Sequence, residues 1–120
     1  MEPDPLGRPR RRFRDPAYRP LATSLAEVRD AIDSLDDRIV ALIAQRAMYV
    51  KDAARFKADA FQVAAPARQA RVFANVRALA ARHDRGFDGL EDVVEATWRA
   101  MVAAFVAAES RYFDDMDPLD

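Results

Sequence analysis

Five charged side chains occupy places where a helical chain would suggest something else: Arg29, Arg46, Lys57, Arg68 and Glu109. Steps of three and four from Leu25 pass through Val28, Ile32, Leu35, Ile39, Leu42, Arg46, Tyr49, Ala53 and Phe56, a core-facing register that includes Arg46. On one continuous helix, Lys57 lies about 20° round from Arg46 and roughly 16 Å along the axis, so the two could converge on a small anion. A buried charge without a partner is costly, and the pattern therefore calls for a protein carboxylate or a bound anion. Glu109 interrupts a later apolar stripe, and pairing it with Arg46 would make a structural salt bridge. The remaining cations leave positive charge over, which suits a small dianionic ligand. Arg29 stands about 25 Å before Arg46 along the helix and cannot reach the same ligand from the same chain, although an antiparallel partner helix could supply it. Arg68, at the start of the following helix, could close over the end of such a site.

The other residue types narrow the chemistry. The chain has seventeen arginines but only two lysines, Lys51 and Lys57. Where arginine is the habitual cation, a lysine suits a place that needs a compact point charge rather than a planar fork; chance on a solvated face is the alternative. With no cysteine there is neither a disulfide framework nor thiolate chemistry. The single histidine, His83, argues against a histidine metal site or a Ser-His triad within one chain, and reads as a surface residue at a helix end. Trp98 reads as core. A net charge of −1 names no partner. No apolar run approaches membrane-spanning length and no signal-peptide core follows the N-terminal arginines, so a soluble cytoplasmic protein without a membrane partner is the expectation.

The elements that must position these residues are helical. Residues 1–20 are rich in proline and arginine and read as a disordered basic arm. Because the rest of the chain is acidic, a solvated extension is favoured over a nucleic-acid contact. Residues 21–115 form one helical domain, and 116–120 an acidic tail. Ser24-Leu25-Ala26-Glu27 is a capping box that opens a first helix reaching about Ala58. Such a helix spans roughly 50 Å, against a radius of gyration near 13 Å for a compact domain of this size, so a second subunit is expected to cover the excess. Phe61 to Ala65 reads as a loop. Pro66 opens a second helix carrying Val72, Phe73, Val76 and Leu79 and ending between His83 and Gly86. Asp88-Gly89-Leu90-Glu91 resembles another capping box, ahead of a third helix with Val94, Trp98, Met101, Phe105, Glu109 and Tyr112 on one face. No strand-period segment occurs, and the fold class is all-α with a three-helix protomer.

Val28-Arg29, Ile32-Asp33, Leu35-Asp36, Ile39-Val40, Leu42, Arg46, Val50-Lys51 and Arg55-Phe56-Lys57 together resemble the first helix of the all-helical chorismate mutase family, closest to its isochorismate-pyruvate lyase branch. The resemblance runs from about Leu25 to Phe113 and is most specific between Val28 and Arg68. The stretch from Tyr49 to Lys57 and Pro66-Ala67-Arg68 look more lyase-like than mutase-like. The resemblance implies an intertwined helical homodimer with two active sites, each borrowing one arginine from the partner subunit. By the same resemblance, Arg29 of the partner subunit and Arg46 clamp the two carboxylates of a small dianionic substrate, chorismate or isochorismate. Lys57 hydrogen-bonds the ether oxygen, Arg68 binds a carboxylate from the loop side, and Glu109 takes the position of a glutamine facing that oxygen. Gln69 stands where mutases often carry a glutamate that contacts the substrate hydroxyl, and Ala65 replaces another acidic loop position.

The reaction so implied is pericyclic, a [3,3] rearrangement of chorismate to prephenate that needs no nucleophile, metal or cofactor. The nearest alternative is cleavage of isochorismate to salicylate and pyruvate, and a third is a non-catalytic helical dimer that uses the basic arm. Glu109 departs most from the family pattern. As a carboxylate it would oppose negative charge growing on the ether oxygen; protonated, it could donate as glutamine does. Apolar burial favours the acid, whereas Arg46 and Lys57 favour the carboxylate. Activity rising toward acid pH, and Glu109→Gln lifting activity near neutrality, are the expected signs of a protonated donor.

Overall fold

The computed structural model describes residues 1–119; Asp120, the last residue of the expected acidic tail, lies outside the described residues. Four helices follow one another: α1 (Leu25–Ala53), α2 (Ala60–Ala64), α3 (Pro66–His83) and α4 (Leu90–Asp114), with a 3-10 turn at Ala54–Phe56 between the first two. There is no strand among the described residues, and the fold is all-α as expected. No helix among them is long and apolar enough to cross a membrane. The chain divides into two compact units, Met1–Gln45 and Arg46–Asp120.

In the first unit, Asp4 and Asp15 each fold the chain locally, accepting from the Leu6 N–H at 3.0 Å and the Ala17 N–H at 2.9 Å. The Pro5 carbonyl accepts from the Ala26 N–H at 3.0 Å, satisfying one donor of the first turn of α1. The Ser24 hydroxyl caps that turn by accepting from the Glu27 N–H at 3.2 Å. Glu27 reaches one residue further back than a standard box, accepting from the Thr23 N–H at 3.0 Å and the Thr23 hydroxyl at 2.7 Å. Those bonds, the one from the Thr23 backbone foremost, hold its carboxyl below the usual range. No residue of α1 is buried: Val28, Ile32, Leu35, Ile39 and Leu42 are 40, 50, 49, 51 and 62% exposed. The apolar stripe exists, and its side chains are exposed.

The second unit has its own core of Ala54, Val63, Phe73, Val76, Ala80 and Val102. Phe73, Val76 and Ala80 recur on one face of α3, which packs against α4. Arg77 of α3 reaches three acids of α4, with Asp92 at 3.0 Å, Glu95 at 3.1 Å and Glu91 at 3.4 Å. Arg99 holds Glu95 from the other side at 2.8 Å while its guanidinium lies 4.4 Å from the Phe73 ring centroid. The Arg99 hydrogen bond, aided by Arg77, holds the Glu95 carboxyl below its ordinary range, and Asp92 chiefly raises Arg77.

Three element boundaries differ from expectation. α1 ends at Ala53 rather than about Ala58, because Asp59 adopts an extended backbone (φ −156°) to cap a new helix. That helix, α2 (Ala60–Ala64), takes up most of the stretch Phe61 to Ala65 expected as a loop, and Ala65 caps its end in a left-handed conformation (φ 44°), its N–H donating to the Phe61 carbonyl at 2.9 Å. Pro66 opens α3 as expected. Asp88 does not cap α4; the cap residue is Gly89 at φ 79°, with no side-chain cap. Instead Asp84 closes the end of α3 by accepting from the Gly86 and Phe87 N–H groups at 2.9 and 2.8 Å.

Candidate active site

Phe105 and Glu109 lie one turn apart on α4 and therefore share a face. Arg46 sits near the end of α1, half-buried, with its guanidinium carbon 5.3 Å from the Phe105 ring centroid. That is within reach of the attraction between a cation and an aromatic face. Lys57 follows the 3-10 turn in an extended conformation (φ −97°, ψ 137°). Its Nζ donates to Glu109 Oε2 at 3.0 Å and to the Gln62 carbonyl at 3.2 Å. The two cations thus address neighbouring turns of one helix.

This arrangement replaces the expected one. Arg46 and Lys57 do not share a helix, because α1 stops between them. They are brought together through α4, a relationship that no spacing along α1 contains. The acid pairs differently as well: Glu109, 6% exposed, is the partner of Lys57, and Arg46 forms no ion pair among the described residues.

The remaining candidates are less closely gathered. Arg68 lies exposed in the first turn of α3 and forms no ion pair among the described residues. Gln69 is half-buried, and its side-chain amide donates to the carbonyl of Ala64, so that nitrogen is engaged with the chain itself. Arg29 lies exposed on α1 within the Met1–Gln45 unit. A cavity of about 960 Å³ beside Lys57 opens toward Phe113, Asp117 and Leu119, and Arg46, Arg68 and Glu109 do not line it.

Sequence reasoning missed two residues, Asp59 and Gln62. Asp59 Oδ1 accepts from the Gln62 N–H at 2.9 Å, and Gln62 Oε1 accepts from the Ala58 N–H at 2.7 Å. The signal was available: Asp59-Ala60-Phe61-Gln62 has the spacing of a capping box.

An ammonium has three donors, and Lys57 uses two of them on Glu109 and Gln62, leaving one N–H for an acceptor on a ligand. Lys57 can therefore set a fixed donor near an acceptor oxygen of a bound molecule. The sequence comparisons agree with that chemistry. Residues 28–110 match the family described as chorismate mutase type II. An isochorismate pyruvate lyase of Pseudomonas aeruginosa is 35% identical over 91 residues, covering 76% of this chain and 86% of that protein. The family match spans Arg29, Arg46, Lys57, Arg68, Gln69 and Glu109 and extends over well more than half the chain, which therefore belongs to the chorismate mutase type II family.

Proposed function

We propose that the chain is a chorismate mutase, converting chorismate to prephenate by a [3,3] rearrangement. The observation that carries this reading is Lys57, fixed between Glu109 and the Gln62 carbonyl one helical turn from the ring that Arg46 covers, with one N–H left to donate. Arg46 and Arg68 bind carboxylates of the substrate and hold its compact reactive conformer, which removes much of the entropic part of the barrier. Lys57 places positive charge at the ether oxygen, where negative charge develops as the C–O bond breaks. No residue need act as a nucleophile or proton carrier.

The site takes its further arginine from a second copy. The exposed stripe from Val28 to Leu42 is the surface that copy covers, and Arg29 lies on the same helix. The working unit is thus a homodimer in which the partner's Arg29 completes each site. It acts in the cytoplasm, and neither nucleic acid nor a membrane is its partner. Residues 1–20 are a solvated basic arm that turnover does not require.

The second reading is isochorismate-pyruvate lyase activity in the same pocket, favoured by the name of the Pseudomonas aeruginosa relative. Purified protein given chorismate and isochorismate separately, at acid and neutral pH, with products separated by chromatography, distinguishes the two. Prephenate from chorismate as the faster reaction supports the mutase. Salicylate plus pyruvate as the faster reaction assigns the lyase, and neither product would leave a non-catalytic helical dimer.

A further inference from the structure

We infer that Asp59 and Gln62 are positioning residues for Lys57, and that the pair of caps they form sets where the Lys57 ammonium stands. This rests on the reading that Lys57 touches the substrate. A lysine side chain is long and flexible, and a donor that must meet one oxygen needs more than a single anchor. Glu109 Oε2 is one anchor, at 3.0 Å, and the Gln62 carbonyl is the second, at 3.2 Å.

The backbone of α2 explains why that carbonyl is available. In a continuing helix, the carbonyl of Gln62 would accept from the N–H four residues on, but that residue is Pro66, which has none. The oxygen is thus left without a helical donor and is taken by Lys57. Its position depends on a helix of only five residues, too short to persist without its caps. Asp59 caps it through the Gln62 N–H, and Gln62 closes the turn by accepting from the Ala58 N–H, the residue next to Lys57. Three hydrogen bonds therefore join the segment 57–62 into one ring, and the second anchor of the ammonium is part of that ring.

The test uses the fact that the chain has only one other lysine. Lys51 is exposed, with its Nζ 4.8 Å from the Tyr112 ring centroid, and serves as an internal reference. Full-length wild type, Gln62→Ala, Asp59→Ala and Asp59→Asn are labelled with trace acetic anhydride, and acetylation of Lys57 relative to Lys51 is read by peptide mass spectrometry. The expected result is slow labelling of Lys57 in wild type, faster by about fivefold in Gln62→Ala and Asp59→Ala, the factor that loss of one cap supplies. Asp59→Asn keeps the accepting oxygen and stays near wild type, which separates capping from charge. In parallel, kcat on chorismate falls in the two alanine variants with KM little changed. Equal Lys57 labelling in all four proteins, or Asp59→Asn behaving as Asp59→Ala does, overturns the inference. The expected labelling pattern without turnover in any of the four keeps the positioning and removes the proposed reaction.

Discussion

Lys57 Nζ and Glu109 Oε2 lie 3.0 Å apart, an ion pair that joins positions 52 residues apart in the chain. Only 8% of the Glu109 side chain and 21% of the Lys57 side chain is exposed, so removing either partner leaves a charge poorly solvated. The acid fixes the lysine, yet it also opposes negative charge on any oxygen that the lysine's third N–H meets.

Glu109→Gln should therefore raise kcat on chorismate near neutral pH by about tenfold, roughly the net worth of one hydrogen bond. Saturation kinetics of both proteins at neutral pH check this. An unimproved variant would remove the idea.

Ala65 holds a left-handed conformation (φ 44°) that an L side chain adopts at a cost and glycine does not. Ala65→Gly should stabilise the protein by about 1 kcal/mol, seen as a rise of about 5 °C in Tm by circular dichroism. A drop in Tm would mean that glycine's greater freedom in the unfolded chain outweighs the strain.

The clamp between α3 and α4 should weaken in acid. Arg99 and then Arg77 hold the Glu95 carboxyl below its ordinary value of 4.5, so between those two values the unfolded chain binds the extra proton. Its contribution is complete above that ordinary value and disappears as pH falls through the lower, folded one. Thermal denaturation between neutral pH and pH 3 should show Tm falling in wild type, with a shallower acid slope in Glu95→Gln. Identical slopes would exclude Glu95 as a source of the acid sensitivity.

The face of α1 should control assembly. Ile32→Glu combined with Ile39→Glu puts two charges on a stripe whose members are 50 and 51% exposed in the single chain. Sedimentation velocity should then report monomers, with turnover lost if the partner's Arg29 completes each site as proposed. A double variant that remains dimeric would place the interface elsewhere.

Local signals carried much of the fold. The stripe of α1, the Ser24 cap and Pro66 at the start of α3 depend on neighbouring residues and were legible in the sequence. The break at Ala53 was also local, but Asp59 and Gln62 went unread because the apolar register continued past Ala53 to Phe56. At Asp88 the opposite happened: a plausible cap lost to Gly89, whose left-handed backbone starts α4 without a side-chain acceptor. The pairing of Glu109 was not local at all. Which of two cations meets it depends on where α1 stops, and that depends in turn on the cap 50 residues before Glu109. The α1 stripe was legible as a core-facing register, yet its members are 40 to 62% exposed in the single chain, because periodicity marks an apolar face without saying what covers it.

The measurement that tests the account most directly is saturation kinetics of Lys57→Met on chorismate, made in the Glu109→Gln background so that no buried carboxylate is left unpaired. Compared with Glu109→Gln alone, kcat should fall by about 10²-fold or more with KM little changed, the mark of a donor used mainly in the transition state. An intact kcat with a raised KM, or no change in either, would contradict the claim that Lys57 performs the chemistry.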